Sequence, residues 1–312
     1  MFSSPFPAVE IPDVSLYDYL FGGLQEADLD RIAVVDGTSG AETSYRTLVG
    51  QIDAVAGAVA ARGLGVHGVA AILCPNIPAF AVVFHGLLRA GATVTTVNSL
   101  YTADEIALQL DDAGAEWMFT VSALLPAARE AATRAGIPAE RIVVLDGADG
   151  HPSLRDLLTA GAPAPDVSFD PATHVAVLPY SSGTTGRPKG VMLSHRNLVA
   201  NAEQSRGLLK VTPEDRLLAL LPFFHIYGMQ VLMNLTLARG GHVITMDRFD
   251  LPLFLELAQR HRIRRAVVVP PIVLALAKHP LVDDYDLSSL ESLFSGAAPL
   301  GAELAAEAGI PF

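Results

Sequence analysis

Short unbroken apolar runs alternate with stretches of helical periodicity along almost the whole chain. In the first half RIAVVD (31–36), VAAIL (69–73), ATVTTV (92–97), EWMFTV (116–121) and RIVVLD (141–146) read as strands. In the second half HVAVLPY (174–180), DRLLALLP (215–222), HVITM (242–246), RAVVVP (265–270) and SLESLFS (289–295) read the same way. Several of these runs lack in-out alternation, as expected of strands covered by helices on both faces. Residues 45–62, 77–90 and 103–113 carry apolar positions at helical spacing, as do 194–204, 252–261 and 271–278. Thr102 with Glu105 forms a capping box, and Ser194 is placed to cap the helix that follows it. The alternation predicts an α/β protein with two similar open, mostly parallel sheets flanked by helices.

A stretch rich in Gly, Pro, Ala and Asp, GADGHPSLRDLLTAGAPAPDVSFDP (147–171), interrupts the pattern. It divides the chain into a first α/β subdomain over 1–150, a connection over 151–171 and a second α/β subdomain over 172–312. Residues 217–238 run without a formal charge and are long enough to span a bilayer. Pro222, His225, Gly228, Gln230 and Asn234 interrupt that run, so it is expected to form a buried strand and then a helix.

Composition narrows the function. The 312 residues carry a net charge of −12, and only 17% are charged. The mean hydropathy is +0.38. Such a chain buries much of itself and repels nucleic acid and anionic membranes; a phosphate-bearing ligand needs a local site. A lone cysteine, Cys74, permits no internal disulfide, and the N-terminal MFSSPFPAVEIPDV lacks a basic leader region. A cytoplasmic location is therefore expected, with no transmembrane segment. The basic cluster QRHRIRR (259–265) is expected at a helix end and in ion pairs, Cys74 in the core, and His67, His85, His151 and His242 show no metal-ligand spacing.

One stretch does not fit an apolar scaffold. YSSGTTGRPKGVMLSH (180–195) packs glycines, hydroxyls and a lysine directly after a strand and before a helix. Glycines let backbone N–H groups approach a phosphate, hydroxyls donate to it, and lysine supplies a mobile charge. The candidate phosphate-binding residues are Ser181, Ser182, Gly183, Thr184, Thr185, Gly186 and Lys189. The loop is not a Walker A loop, because Pro188 precedes the lysine and Gly190 follows it.

YSSGTTGRPKGV resembles the signature loop of the adenylate-forming enzymes: acyl-CoA synthetases, peptide-synthetase adenylation domains and firefly luciferase. LPFFHIYGM (221–229) and SLFSGAAPLG (292–301) resemble two further segments of that family in the same order. With PPIVLALAKHP and YDLSSLESL between them, the set looks most like the 4-coumarate:CoA ligase branch. The resemblance implies an acid–thiol ligase that uses ATP, Mg2+ and coenzyme A. A carboxylate attacks the α-phosphate, and the thiol then displaces AMP from the acyl-adenylate. It implies that the loop holds the phosphates and that His225 orients the carboxylate. Tyr227, Gly296 and Ala297 would line the acid pocket, and Arg248 would meet coenzyme A. The acid would be a flat aromatic such as a cinnamate, or a medium-chain fatty acid.

The family also has a Tyr-Gly-Met-Thr-Glu segment, a ribose-binding aspartate and a C-terminal lid domain with a catalytic lysine, none of which occurs here. The chain is thus expected to be the N-terminal part only, with an incomplete site and little activity alone. A non-catalytic nucleotide- or partner-binding fragment, or an adenylation domain that loads a carrier protein, are the alternatives.

Overall fold

In a computed structural model of the chain, residues 7–181 and 188–310 are described. The strands are β1 (Ile32–Asp36), β2 (Glu42–Ser44), β3 (Val69–Leu73), β4 (Thr93–Thr96), β5 (Trp117–Thr120), β6 (Ile142–Val144) and β7 (Val175–Ser181). After them come β8 (Lys189–Gly190), β9 (Leu193–Ser194), β10 (Arg216–Ala219), β11 (His242–Thr245), β12 (Arg265–Val268) and β13 (Ser292–Ser295). The largest sheet has the order β6-β5-β3-β4-β7-β8, with β9 also on β7. It is parallel from β6 to β7 and antiparallel at β8 and β9. A second sheet, β10-β11-β1-β2, is parallel up to β1, and β12 pairs in parallel with β13.

Parallel-rich sheets flanked by helices are thus present, but the strands fall in three sheets and do not follow the chain's division at 151–171. β7, from the second half, completes the sheet of the first, and β1 and β2 join strands of the second. An apolar run marks a strand without marking its partner, so periodicity could not show this exchange.

Order within the large sheet positions the site. From β3 the chain crosses to β4 on one side, then to β5 on the other side of β3. Right-handed crossovers therefore put the helix Pro78–Arg89 on one face and Ala103–Ala113 on the opposite face. Burial agrees. Ala70 and Ile72 of β3 join one core with Phe80 and Phe84, while Ala71 and Leu73 join another with Ile106 and Leu110. From β3 and β4 the connections leave toward opposite faces, and ligands of open α/β sheets bind at the carboxyl ends of strands where such a divergence occurs.

Residues 217–238 are largely interior, with Pro222 and His225 exposed. β10 is buried, and Gly228–Asn234 forms a π-helix continued by Leu235–Ala238. No helix among the described residues is long and apolar enough to cross a membrane. Cys74 is buried. Three arginines of the basic cluster are paired: Arg260 with Glu256, Arg264 with Glu291 at 3.0 Å, and Arg265 with the buried Asp215 at 2.9 Å.

Candidate active site

Three connections meet at the carboxyl ends of these strands. Asn76, just past β3, is buried and uses its whole amide there. Its Nδ2 donates to the carbonyl oxygens of Ala219 and Leu221, both at 2.8 Å, and its Oδ1 accepts the Phe223 N–H at 2.7 Å. One side chain thereby sets the path of the segment that leaves β10 for His225. Thr96, the last residue of β4, lies opposite Pro179 of β7 and donates its hydroxyl to the Phe224 carbonyl at 2.7 Å. The residue before His225 is so tied to β4, the neighbour of the strand that runs into the glycine-rich loop. Neither Asn76 nor Thr96 was singled out from the sequence. The available signal was a polar amide directly after the apolar run AILCP.

His225 is exposed, and its main-chain N–H donates to the Pro222 carbonyl. The Tyr227 N–H donates to its Nδ1 at 3.1 Å. That bond makes Nδ1 the acceptor, so the neutral ring carries its proton on Nε2. Partial burial of the ring disfavours the imidazolium and holds its pKa below the ordinary histidine value. The segment is compact because Gly228 has no side chain: a Cβ there would strike the Pro222 carbonyl oxygen.

Tyr227 and Gly296 meet. A Cβ on Gly296 would lie 2.7 Å from Tyr227 Oη and 2.9 Å from its Cζ, so only glycine lets the ring lie there. Burial pushes the phenol up to about 12. Tyr227 Oη and Ser295 Oγ are both buried with no hydrogen-bond partner among the described residues. Ala297 follows at φ 66°, in the left-handed region, with its methyl exposed.

On the loop side, Ser181 pairs with Lys189 across β7 and β8, and Lys189 is exposed. Gly190 lies against the Tyr180 ring, whose hydroxyl donates to the Asp112 carboxylate. Ser182, Gly183, Thr184, Thr185 and Gly186 lie outside the described residues. After the loop, Ser194 caps the helix His195–Leu209 in a capping box with Asn197. That helix and the Tyr227 segment bound a cleft of about 490 Å3, lined by Leu193, Asn197, Asn201, Ile226, Tyr227 and Gln230 among others. Arg248 is exposed beyond the carboxyl end of β11, in the second sheet, with its own N–H on Asp247 Oδ1 at 2.8 Å. The described residues contain no group of three or more His, Cys, Asp or Glu that could hold a metal ion.

The strand entering the loop, the turn that carries His225 and a cleft bordered by Tyr227 thus lie together in a sheet class whose ligands bind at the carboxyl ends of the strands. The family model described as AMP-binding enzyme matches residues 24–310, and this chain belongs to that family. It is 39% identical to 4-coumarate–CoA ligase 5 of Oryza sativa subsp. japonica over 315 residues, covering 97% of this chain and 56% of that protein. The chain thus spans about half the length of such curated relatives. The structure of ATP-bound MatB from Rhodopseudomonas palustris superposes with TM-score 0.83 at 30% identity, covering 96% of this chain and 57% of that one. A red-emitting luciferase from Phrixothrix hirtus gives 0.87 at 26% identity, with 97% and 60% covered.

Proposed function

We propose that this chain carries the nucleotide- and acid-binding portion of an ATP-dependent carboxylic acid–CoA ligase. The carboxylate attacks the α-phosphate of ATP to give acyl-adenylate and pyrophosphate. The thiol of coenzyme A then attacks the acyl carbon and releases AMP. The observation that carries the proposal is the meeting of three distant segments: the strand entering the 181–189 loop, the Phe224–His225 turn bonded to its neighbour strand through Thr96, and Tyr227 against Gly296.

The first half-reaction brings an anion to a polyanion, so it depends on positioning and on donors aimed at developing charge. Lys189 supplies a cation beside the phosphates, and the loop hydroxyls and N–H groups supply donors. His225, neutral with its proton on Nε2, donates to a carboxylate oxygen and later to the acyl carbonyl. The imidazolium form is not needed for that role. Mg2+ would be carried mainly by the phosphates of ATP, where it would supply neutralisation of their charge.

The acid is proposed to be a flat aromatic such as a cinnamate, lying in the cleft that the Tyr227 ring borders. Arg248 is proposed to contact coenzyme A. The single reduced, buried cysteine agrees with a cytoplasmic location.

The test has two parts. Calorimetric binding of ATP to the 312-residue chain should weaken at least about tenfold in Lys189→Ala, a loss near 1.4 kcal/mol. Carboxylate-dependent ATP–pyrophosphate exchange by the chain extended to its relatives' length should slow in His225→Ala. Unchanged values for both variants reject the assignment.

A further inference from the structure

Behind the cleft lies a chain of buried polar groups that the ligase chemistry above does not use. Gln230 lines the cleft and donates its Nε2 to the Leu198 carbonyl at 2.7 Å, bridging the π-helix to the helix His195–Leu209. Asn234, four residues on, donates its Nδ2 to Gln230 Oε1 at 3.0 Å. Asn234 Oδ1 faces His85 Nε2 at 3.0 Å, and His85 Nδ1 faces the Ala81 carbonyl at 2.8 Å. All three side chains are buried, with His85 and Asn234 at 0% exposure. The His85 ring sits edge-on to Phe21 and Phe84, at 5.3 and 5.1 Å between centroids.

Counting protons in this row gives a constraint. The two ends, Leu198 O and Ala81 O, only accept. An amide passes polarity along, donating on one side and accepting on the other. The row is therefore fully satisfied only if both imidazole nitrogens carry protons. Burial among aromatic rings pushes the His85 pKa down to about 4, so the ring is neutral at pH 7 and one contact goes short of a proton. If the proton sits on Nε2, the defect falls at Ala81 O, a carbonyl inside the helix Pro78–Arg89, and Gln230 stays bonded to Leu198. If it sits on Nδ1, both amides must reverse and Gln230 loses Leu198.

We propose that His85 and Asn234 are positioning residues for the acid cleft: with the imidazole proton on Nε2, they hold Gln230 in the bridge that joins the helix His195–Leu209 to the π-helix and fixes the width of the cleft. This inference rests on the acid-binding reading of that cleft. It assigns to a π-helical turn the kind of local function such turns often carry.

Nitrogen-15 NMR of histidine-labelled chain at pH 7 reads the His85 tautomer directly, and the expected result is a proton on Nε2. Calorimetry on the same chain then compares a hydroxylated cinnamic acid with ATP. Asn234→Leu and His85→Leu should weaken the acid about tenfold and leave ATP within about twofold, whereas His85→Gln, which keeps a donor toward Asn234 Oδ1, should retain acid affinity within about threefold. A proton on Nδ1, or acid and ATP affinity falling together, overturns the proposal; so does His85→Gln behaving like His85→Leu. If the unaltered chain binds ATP but no carboxylic acid, the acid-cleft reading itself fails, and the tautomer result identifies that failure as separate from the proton assignment. Should the leucine variants not fold, the tautomer and the glutamine variant still decide.

Discussion

The Tyr227 hydroxyl is buried and unpartnered in the free chain, a condition that costs about 1–3 kcal/mol for a polar group. Tyr227→Phe should therefore raise the stability of the free chain by roughly 1 kcal/mol in urea unfolding. A less stable variant would show that the hydroxyl already has a partner. Legibility at this scale was uneven. His225, Tyr227, Gly296 and Lys189 stood out because they sit in short segments with a recognisable order of residue types. Asn76 and Thr96 did not, and Gln230 showed only as an interruption of an apolar run, since a single amide or hydroxyl in such a run has no pattern of its own. Their partners lie 143, 128 and 32 residues away in sequence.

Elements follow local rules closely where caps and turns are local. The capping box of Thr102 and Glu105 and the Ser194 cap are present where the sequence places them. So are the proline-started helices Leu251–Arg260 and Pro270–Lys278. The π-helix at Gly228–Asn234 is the exception. Helical spacing predicts a helix there, but not the extra residue in its turn. Side-chain bonds from Gln230 and Asn234 reach outside the element and offset the poorer backbone geometry. Asn76 makes an equally non-local contribution. Asn76→Ala removes three hydrogen bonds and leaves the Phe223 N–H and two carbonyls buried without it. The expected cost is about 3 kcal/mol in denaturant unfolding. A loss under about 0.5 kcal/mol, the range of ordinary surface substitutions, would mean that the 219–225 segment holds its path without this amide.

For the whole molecule the buried histidines set a pH dependence. His195 accepts the Leu16 N–H on Nδ1 at 3.0 Å and stacks on Phe169 at 4.7 Å; its Nε2 has no partner among the described residues. Burial, and secondarily the charge of His174, push its pKa down to about 3, and burial pushes His85 to about 4. Both groups bind protons more readily unfolded, near the ordinary value of 6.5. Their stability contribution is then complete above pH 6.5 and is lost as pH falls toward 4 and 3. Between pH 7 and 5 each histidine should cost at most roughly 2 kcal/mol, read by urea unfolding at the two pH values. A flat profile over that interval would mean that the rings are already protonated or exposed in the folded chain.

The sequence by itself determined the class of fold, most strands and helix starts, and the family, because these rest on local periodicity, capping chemistry and contiguous motifs; the short β2, β8 and β9 carry no apolar run and were not expected. The order of those strands was decided only in three dimensions. β7 closes the sheet begun by the first half, and β1 enters the sheet of β10 and β11. Pairing is a competition between distant apolar surfaces, and an apolar run offers the same surface to every candidate partner. The site follows the same division. Its motif residues were legible one by one, whereas the bonds that bring them together run through buried amides and hydroxyls whose role exists only once the chain has closed around them.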